Sequence, residues 1–164
     1  MEHTISVLVE NHVGVLARIA GLFSARGFNI TSLSVGETED PEVSRMTIVV
    51  DADERILEQI KKQLNKLIDT RKVIDLTGQD YVERELILIK VKKEDNFSEL
   101  LELVDVFRGK ILDVSHDSIT VELTGSTSKI EAFINLILPF GILEMARTGR
   151  VALGRGEKNS RRTL

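Results

Sequence analysis

The residues best suited to binding chemistry lie in a short polar turn between an apolar strand and an amphipathic helix. Asn11 ends the strand-like alternation, Gly14 follows three residues later, and Val15 and Leu16 begin a run with helical spacing. The first N–H groups of a helix lack intrahelical acceptors and, with the helix dipole, attract anions. Because Gly14 has no Cβ, a carboxylate can approach the backbone there. The turn therefore predicts a site for a small zwitterion.

A structural alternative for the same turn stays open. Asn11 can form an Asx turn that caps the helix, and Gly14 can simply permit the bend. Gly27 is expected to end the helix, and a second polar residue, Asn29, follows it at the start of the next strand. Arg18 is expected on the outer part of the helix as a solvated charge.

Other chemistries find little support in the sequence. The chain has no cysteine, which excludes disulfides, iron–sulfur clusters and thiol nucleophiles. Its three histidines are scattered without the spacing of metal ligands. His116, Asp117 and Ser118 are adjacent in a tight turn, so they cannot adopt the geometry of a catalytic triad. We therefore predict no catalytic residue, no metal site and no cofactor in this chain.

Apolar periodicity predicts an α+β protein of two ferredoxin-like units, each in the order β-α-β-β-α-β. We predict a first domain over residues 1–78 and a second over 79–164, with a mobile basic tail from about residue 154. Both helices of the first unit are expected on one face of its sheet, which leaves the other face and one edge free. Three capping pairs are expected to open helices: Asp51 with Glu54, Asn96 with Glu99, and Ser128 with Glu131.

Composition narrows the partners and the location. A net charge of −4 argues against nucleic-acid binding, which requires a basic face. No apolar stretch approaches the roughly 20 residues that a membrane helix needs. The chain starts directly with a strand-like run, without a charged and then apolar leader. Together with the lack of cysteine, this predicts a cytoplasmic protein that does not bind membranes.

Residues 9–30, followed by Ser44-Arg45-Met46-Thr47, resemble the effector-binding signature of the ACT domain, a regulatory amino-acid-binding module. More specifically, they are similar to the small regulatory subunits of acetolactate synthase. The second half adds two further matching stretches, Arg108-Gly109-Lys110-Ile111 and Arg147-Thr148-Gly149-Arg150. The resemblance extends from Ile5 to Gly156.

The resemblance implies a valine site at the interface of two ACT domains, and hence a homodimer. The resemblance also assigns the residues that line this site. The amides of Gly14, Val15 and Leu16 would hold the carboxylate of valine. Asn11 and Asn29 would serve its polar end, and Ile30 and Val35 would accommodate its branched side chain.

The resemblance also implies a function without chemistry of its own. The chain would activate the large catalytic subunit of acetolactate synthase, and valine would inhibit the complex. The reaction of that complex begins the synthesis of valine, leucine and isoleucine. Thiamine diphosphate, Mg²⁺ and FAD would belong to that catalytic partner. A stand-alone ACT-type amino-acid sensor that controls another enzyme or a transcription factor is the alternative.

Overall fold

The computed structural model describes residues 1–156; the predicted basic tail falls largely on residues 157–164, outside the described part. The chain divides into two compact units, residues 1–82 with the segment from Arg150, and residues 83–149. Each unit places two helices on an antiparallel sheet, which confirms the α+β class and the ferredoxin-like order. The division into domains 1–78 and 79–164 stays a prediction.

The first unit contains β1 (Glu2–Glu10), α1 (Val15–Ala25), β2 (Ile30–Glu37), β3 (Val43–Asp51), α2 (Glu54–Lys66) and β4 (Thr70–Asp75). Its strand order is β2-β3-β1-β4, with β2 and β4 at the edges. Its apolar alternation places Ile5, Val7 and Val9 on the face that packs against both helices, whose core residues include Ile19, Phe23, Ile60 and Leu64. Burial of each such side chain stabilises the fold by about 1.5–3 kcal/mol.

The second unit contains β5 (Tyr81–Lys92), α3 (Phe97–Val106), β6 (Lys110–Val114), β7 (Ser118–Gly125), α4 (Thr127–Ile137) and β8 (Ile142–Arg147). Its strand order is β6-β7-β5-β8, and it has its own apolar core under two helices. A 3₁₀ turn containing Pro139 follows its last helix. A ninth strand, β9 (Val151–Gly154), belongs to the first unit and pairs with β5, whose first two residues also belong to that unit.

The expectation of a free second face on the first sheet is wrong. Thr4, Ser6 and Leu8 point away from the helices, yet they are 2%, 1% and 3% exposed. Arg150 lies against this face: its guanidinium donates to Thr4 Oγ1 at 3.0 Å and to Glu2 Oε2 at 3.0 Å. The Tyr81 hydroxyl lies 3.4 Å from the same Thr4 oxygen. Segments that follow the six-element unit in sequence thus satisfy the Thr4 hydroxyl.

Two of the three predicted helix caps are displaced by two residues. Asp53, rather than Asp51, caps α2 and accepts from the Ile56 N–H at 2.8 Å. Ser126, rather than Ser128, caps α4 through a 3.4 Å bond from the Lys129 N–H. Both caps have extended backbone, with ψ of 167° and 159°. Asn96 does precede α3, but its ψ is 19° and its side chain makes no capping bond.

Candidate functional site

The predicted polar turn is present between β1 and α1. Gly14 is the N-cap of α1 with φ 89° and ψ −10°, a left-handed conformation that disfavours any residue with a Cβ. The Val15 N–H makes only a long, 3.4 Å bond to His12 O. Within residues 1–156, the N–H groups of Gly14 and Leu16 have no hydrogen-bond acceptor. The start of α1 thus has amide donors without acceptors, and the binding of an anion by them stays a prediction.

Asn11 does not cap α1, because the helix has no side-chain capping bond. Instead, its Nδ2 donates to Pro41 O at 2.8 Å and to Glu37 Oε1 at 3.1 Å. Its backbone N–H donates to Glu42 O at 2.7 Å. Asn11 therefore anchors the connection between β2 and β3 and keeps its carboxamide oxygen for an acceptor role.

Val15, Leu16 and Val35 near the turn differ in how far their side chains are exposed to a ligand. The Val15 side chain is buried in the core, so only its amide faces the turn. Leu16 is 46% exposed and Val35, two residues before the end of β2, is 42% exposed. Both can therefore cover an aliphatic group.

Asn29 and Ile30 lie at the opposite end of the first sheet from Asn11. Ile30 pairs with Val50 at one end of β2, whereas Glu37, the partner of Asn11, pairs with Ser44 at the other. Seven residue steps of about 3.3 Å separate these ends by roughly 23 Å. One copy of the chain therefore does not bring the two asparagines together.

Sequence reasoning missed Asp69, a buried carboxylate beneath the turn. It lies between α2 and β4, and its side chain is 9% exposed. Asp69 accepts from Arg18 Nε at 2.6 Å, and its other carboxylate oxygen lies 3.1 Å from His12 Nε2. Its backbone oxygen accepts from the Glu10 N–H at 2.8 Å. The contacts with Arg18 and His12 cross more than fifty positions, so local periodicity gives no signal for them. Asp69 fixes the turn to the β4 end of the sheet.

A second ion pair closes the base of the turn. Arg71 donates to Glu10 from Nε at 2.7 Å and from Nη2 at 3.0 Å. This bidentate hydrogen bonding lowers the pKa of Glu10 below its ordinary value. Arg45, from the Ser-Arg-Met-Thr stretch, instead donates to Ser6 Oγ at 2.7 Å.

The described part of the chain contains no group of three or more His, Asp or Glu side chains placed to hold a metal ion. Within the same residues, no helix is both long enough and apolar enough to cross a membrane.

Two family models together match most of the chain. Residues 5–72 match the AHAS small subunit-like ACT domain. Residues 84–156 match the small subunit of acetolactate synthase. The chain belongs to the acetolactate synthase small subunits.

Relatives of this small subunit span both of its halves. It is 56% identical over 159 residues to a probable acetolactate synthase small subunit of Archaeoglobus fulgidus, covering 96% of this chain and 99% of the relative. It is 54% identical over 156 residues to the acetolactate synthase small subunit of Aquifex aeolicus, covering 94% and 81%. The crystal structure of the Thermotoga maritima small subunit superposes with a TM-score of 0.89 at 46% identity, covering 96% and 99%.

Membership in this family makes the chain the regulatory subunit of a transferase. A small subunit in turn implies a large, catalytic partner.

Proposed function

We propose that this chain binds and activates the thiamine-diphosphate-dependent catalytic subunit of acetolactate synthase and confers feedback inhibition by valine. The observation that carries the proposal is the open N-terminus of α1, where the Gly14 and Leu16 amides lack acceptors within the described residues. Asn11, three residues before Gly14, has a carboxamide oxygen that can accept from an ammonium. Donors for a carboxylate beside an acceptor for an ammonium are the chemistry of an amino-acid site.

Valine fits this arrangement group by group. Its carboxylate receives hydrogen bonds from the amides of Gly14, Val15 and Leu16. Asn11 and Asn29 serve its polar end. The isopropyl group packs against the aliphatic side chains of Ile30 and Val35, of which Val35 is already partly solvent-exposed.

A homodimer of the first unit completes this site. Because Asn11 and Asn29 lie at opposite ends of β2 in one copy, a two-fold axis at the β2 edge brings Asn29 of one copy to Asn11 of the other. β2 is an edge strand, whose unpaired backbone groups can bond to a second strand. Valine then binds two chains at once and stabilises one geometry of their dimer.

The two halves divide the work. Residues 1–78 form the effector-binding domain, and residues 79–164 contribute contacts that raise the activity of the catalytic subunit. That subunit holds thiamine diphosphate, Mg²⁺ and FAD, and the complex acts in the cytoplasm at the entry to branched-chain amino-acid synthesis. Inhibition is a coupling free energy between the valine site and the catalytic subunit, typically about 1–3 kcal/mol.

Calorimetric titration of valine into the full chain tests the effector, with leucine and isoleucine as related ligands and serine as a control. The same chain is then added to its catalytic subunit, and acetolactate formation is measured with and without valine. We expect saturable binding of valine but not serine, higher activity with the chain, and inhibition by valine. Valine binding without any effect on acetolactate formation would favour the alternative, a stand-alone sensor that regulates another protein.

A further inference from the structure

Arg18 lies over the turn of residues 11–14, with its side chain 48% exposed. Its Nη1 is 3.1 Å, and its Nη2 4.0 Å, from the position that a Cβ on Gly14 would occupy. The guanidinium therefore covers the space that the missing Gly14 side chain leaves open. This space adjoins the amides that have no acceptor.

Asp69 holds Arg18 in this position. The buried carboxylate accepts from Nε at 2.6 Å, and its other oxygen lies 3.1 Å from His12 Nε2. In the described part of the chain, the side-chain hydrogen bonds of Arg18 involve Nε alone. Both terminal nitrogens thus keep their N–H donors, in the planar fork that matches a carboxylate.

We propose that Arg18 is a ligand-binding residue of the effector site, whose Nη groups hydrogen-bond the carboxylate of the amino acid, and that Asp69 is its positioning residue. This assignment rests on the proposed valine site and deepens it. The amides of α1 bind one side of the carboxylate and the guanidinium binds another. The site thereby recognises the charged carboxylate and not merely a carbonyl oxygen.

The test compares valine with valinamide, which keeps the ammonium and the isopropyl group but has no carboxylate. Both are titrated by calorimetry into the full-length chain and into its Arg18→Gln variant. Arg18→Gln removes charge-assisted hydrogen bonds to the carboxylate, so we expect its valine affinity to be about 10- to 100-fold lower than that of the unmodified chain. Valinamide affinity is expected to be nearly the same in both proteins.

Arg26→Gln is the matched control, because Arg26 stands at the other end of the same helix and donates to Gln63 at 2.9 Å. It should bind valine like the unmodified chain. Arg18→Lys keeps the cation without the fork and is expected to fall between the unmodified chain and Arg18→Gln.

Each remaining outcome refutes a different statement. Equal valine affinity in Arg18→Gln and Arg26→Gln would overturn the role of Arg18 and leave the valine site intact. Equal losses for valine and valinamide in Arg18→Gln would make Arg18 purely structural, which also overturns the assignment. No valine binding or inhibition in the unmodified chain, alone or with its catalytic subunit, would refute the proposed function itself.

Discussion

Replacing Gly14 by alanine separates a ligand-binding turn from a simple bend. At φ 89° a Cβ costs about 1–2 kcal/mol of folding free energy. The new methyl group would also lie 3.1 Å from Arg18 Nη1, the movable end of a long side chain. We therefore expect a loss of about 1–2 kcal/mol in unfolding free energy, because the guanidinium can shift and relieve the contact.

Gly78→Ala is the control for backbone strain. Gly78 has φ 74°, and no atom lies within 4 Å of its hypothetical Cβ. Its conformational cost is similar, so urea unfolding should show similar losses for the two variants. Valine affinity should fall at least about tenfold in Gly14→Ala but not in Gly78→Ala. In Gly14→Ala the methyl group occupies the approach to the amides and displaces Arg18.

Unchanged valine affinity in Gly14→Ala, with the stability loss seen in Gly78→Ala, would refute the role of this turn in binding. Gly14→Asp extends the test by placing a fixed carboxylate where the effector's belongs. We expect that variant to activate the catalytic subunit normally but to be insensitive to valine. Inhibition at the usual valine concentrations would show that the effector binds elsewhere.

Three further predictions concern ion pairs and the division of the chain. Arg71→Gln should raise the pKa of Glu10 toward its ordinary value of about 4.3, measured by NMR titration. Since the pKa of Glu10 is lowered in the folded chain, its pair with Arg71 stabilises the fold above about pH 4. The difference in unfolding free energy between Arg71→Gln and the unmodified chain should therefore vanish as the pH falls through the folded pKa of Glu10. Arg147→Gln removes the partner 2.7 Å from buried Glu85 and should cost about 3 kcal/mol in urea unfolding, whereas Lys90→Gln, whose pair is exposed, should cost under about 1 kcal/mol. A fragment of residues 1–78 should bind valine but activate the catalytic subunit poorly. It should also unfold at a lower urea concentration than the full chain, because it lacks the Arg150 guanidinium that covers its sheet. Full activation by the fragment would show that the second half only supports the structure.

The order of the elements could be predicted because strand and helix periodicities are clear in both halves. Ile5 and Val7 alternate with polar Thr4 and Ser6, and the apolar residues from Val15 to Phe23 recur at helical spacing. The turn of residues 11–14 between these two patterns was therefore also predictable. Each of these signals lies within a few consecutive residues.

The features that sequence reasoning missed depend on contacts distant in the chain or on backbone angles. β9 has four residues, too few for a periodic signal. The caps moved to Asp53 and Ser126 because capping requires extended ψ, which residue type alone does not determine. Asp69 gains its role only when folding brings it to Arg18, 51 positions away.

The separation of Asn11 and Asn29 along β2 has a genetic consequence. In the proposed dimer each site takes one asparagine from each chain, so Asn11→Ala and Asn29→Ala homodimers both have two damaged sites. A mixed dimer of the two variants concentrates both lesions in one site and regenerates one intact site. Coexpression of the two valine-insensitive alleles, Asn11→Ala and Asn29→Ala, should therefore restore valine sensitivity at about half the sites of each mixed dimer. A valine site formed within one chain would not show this interallelic complementation.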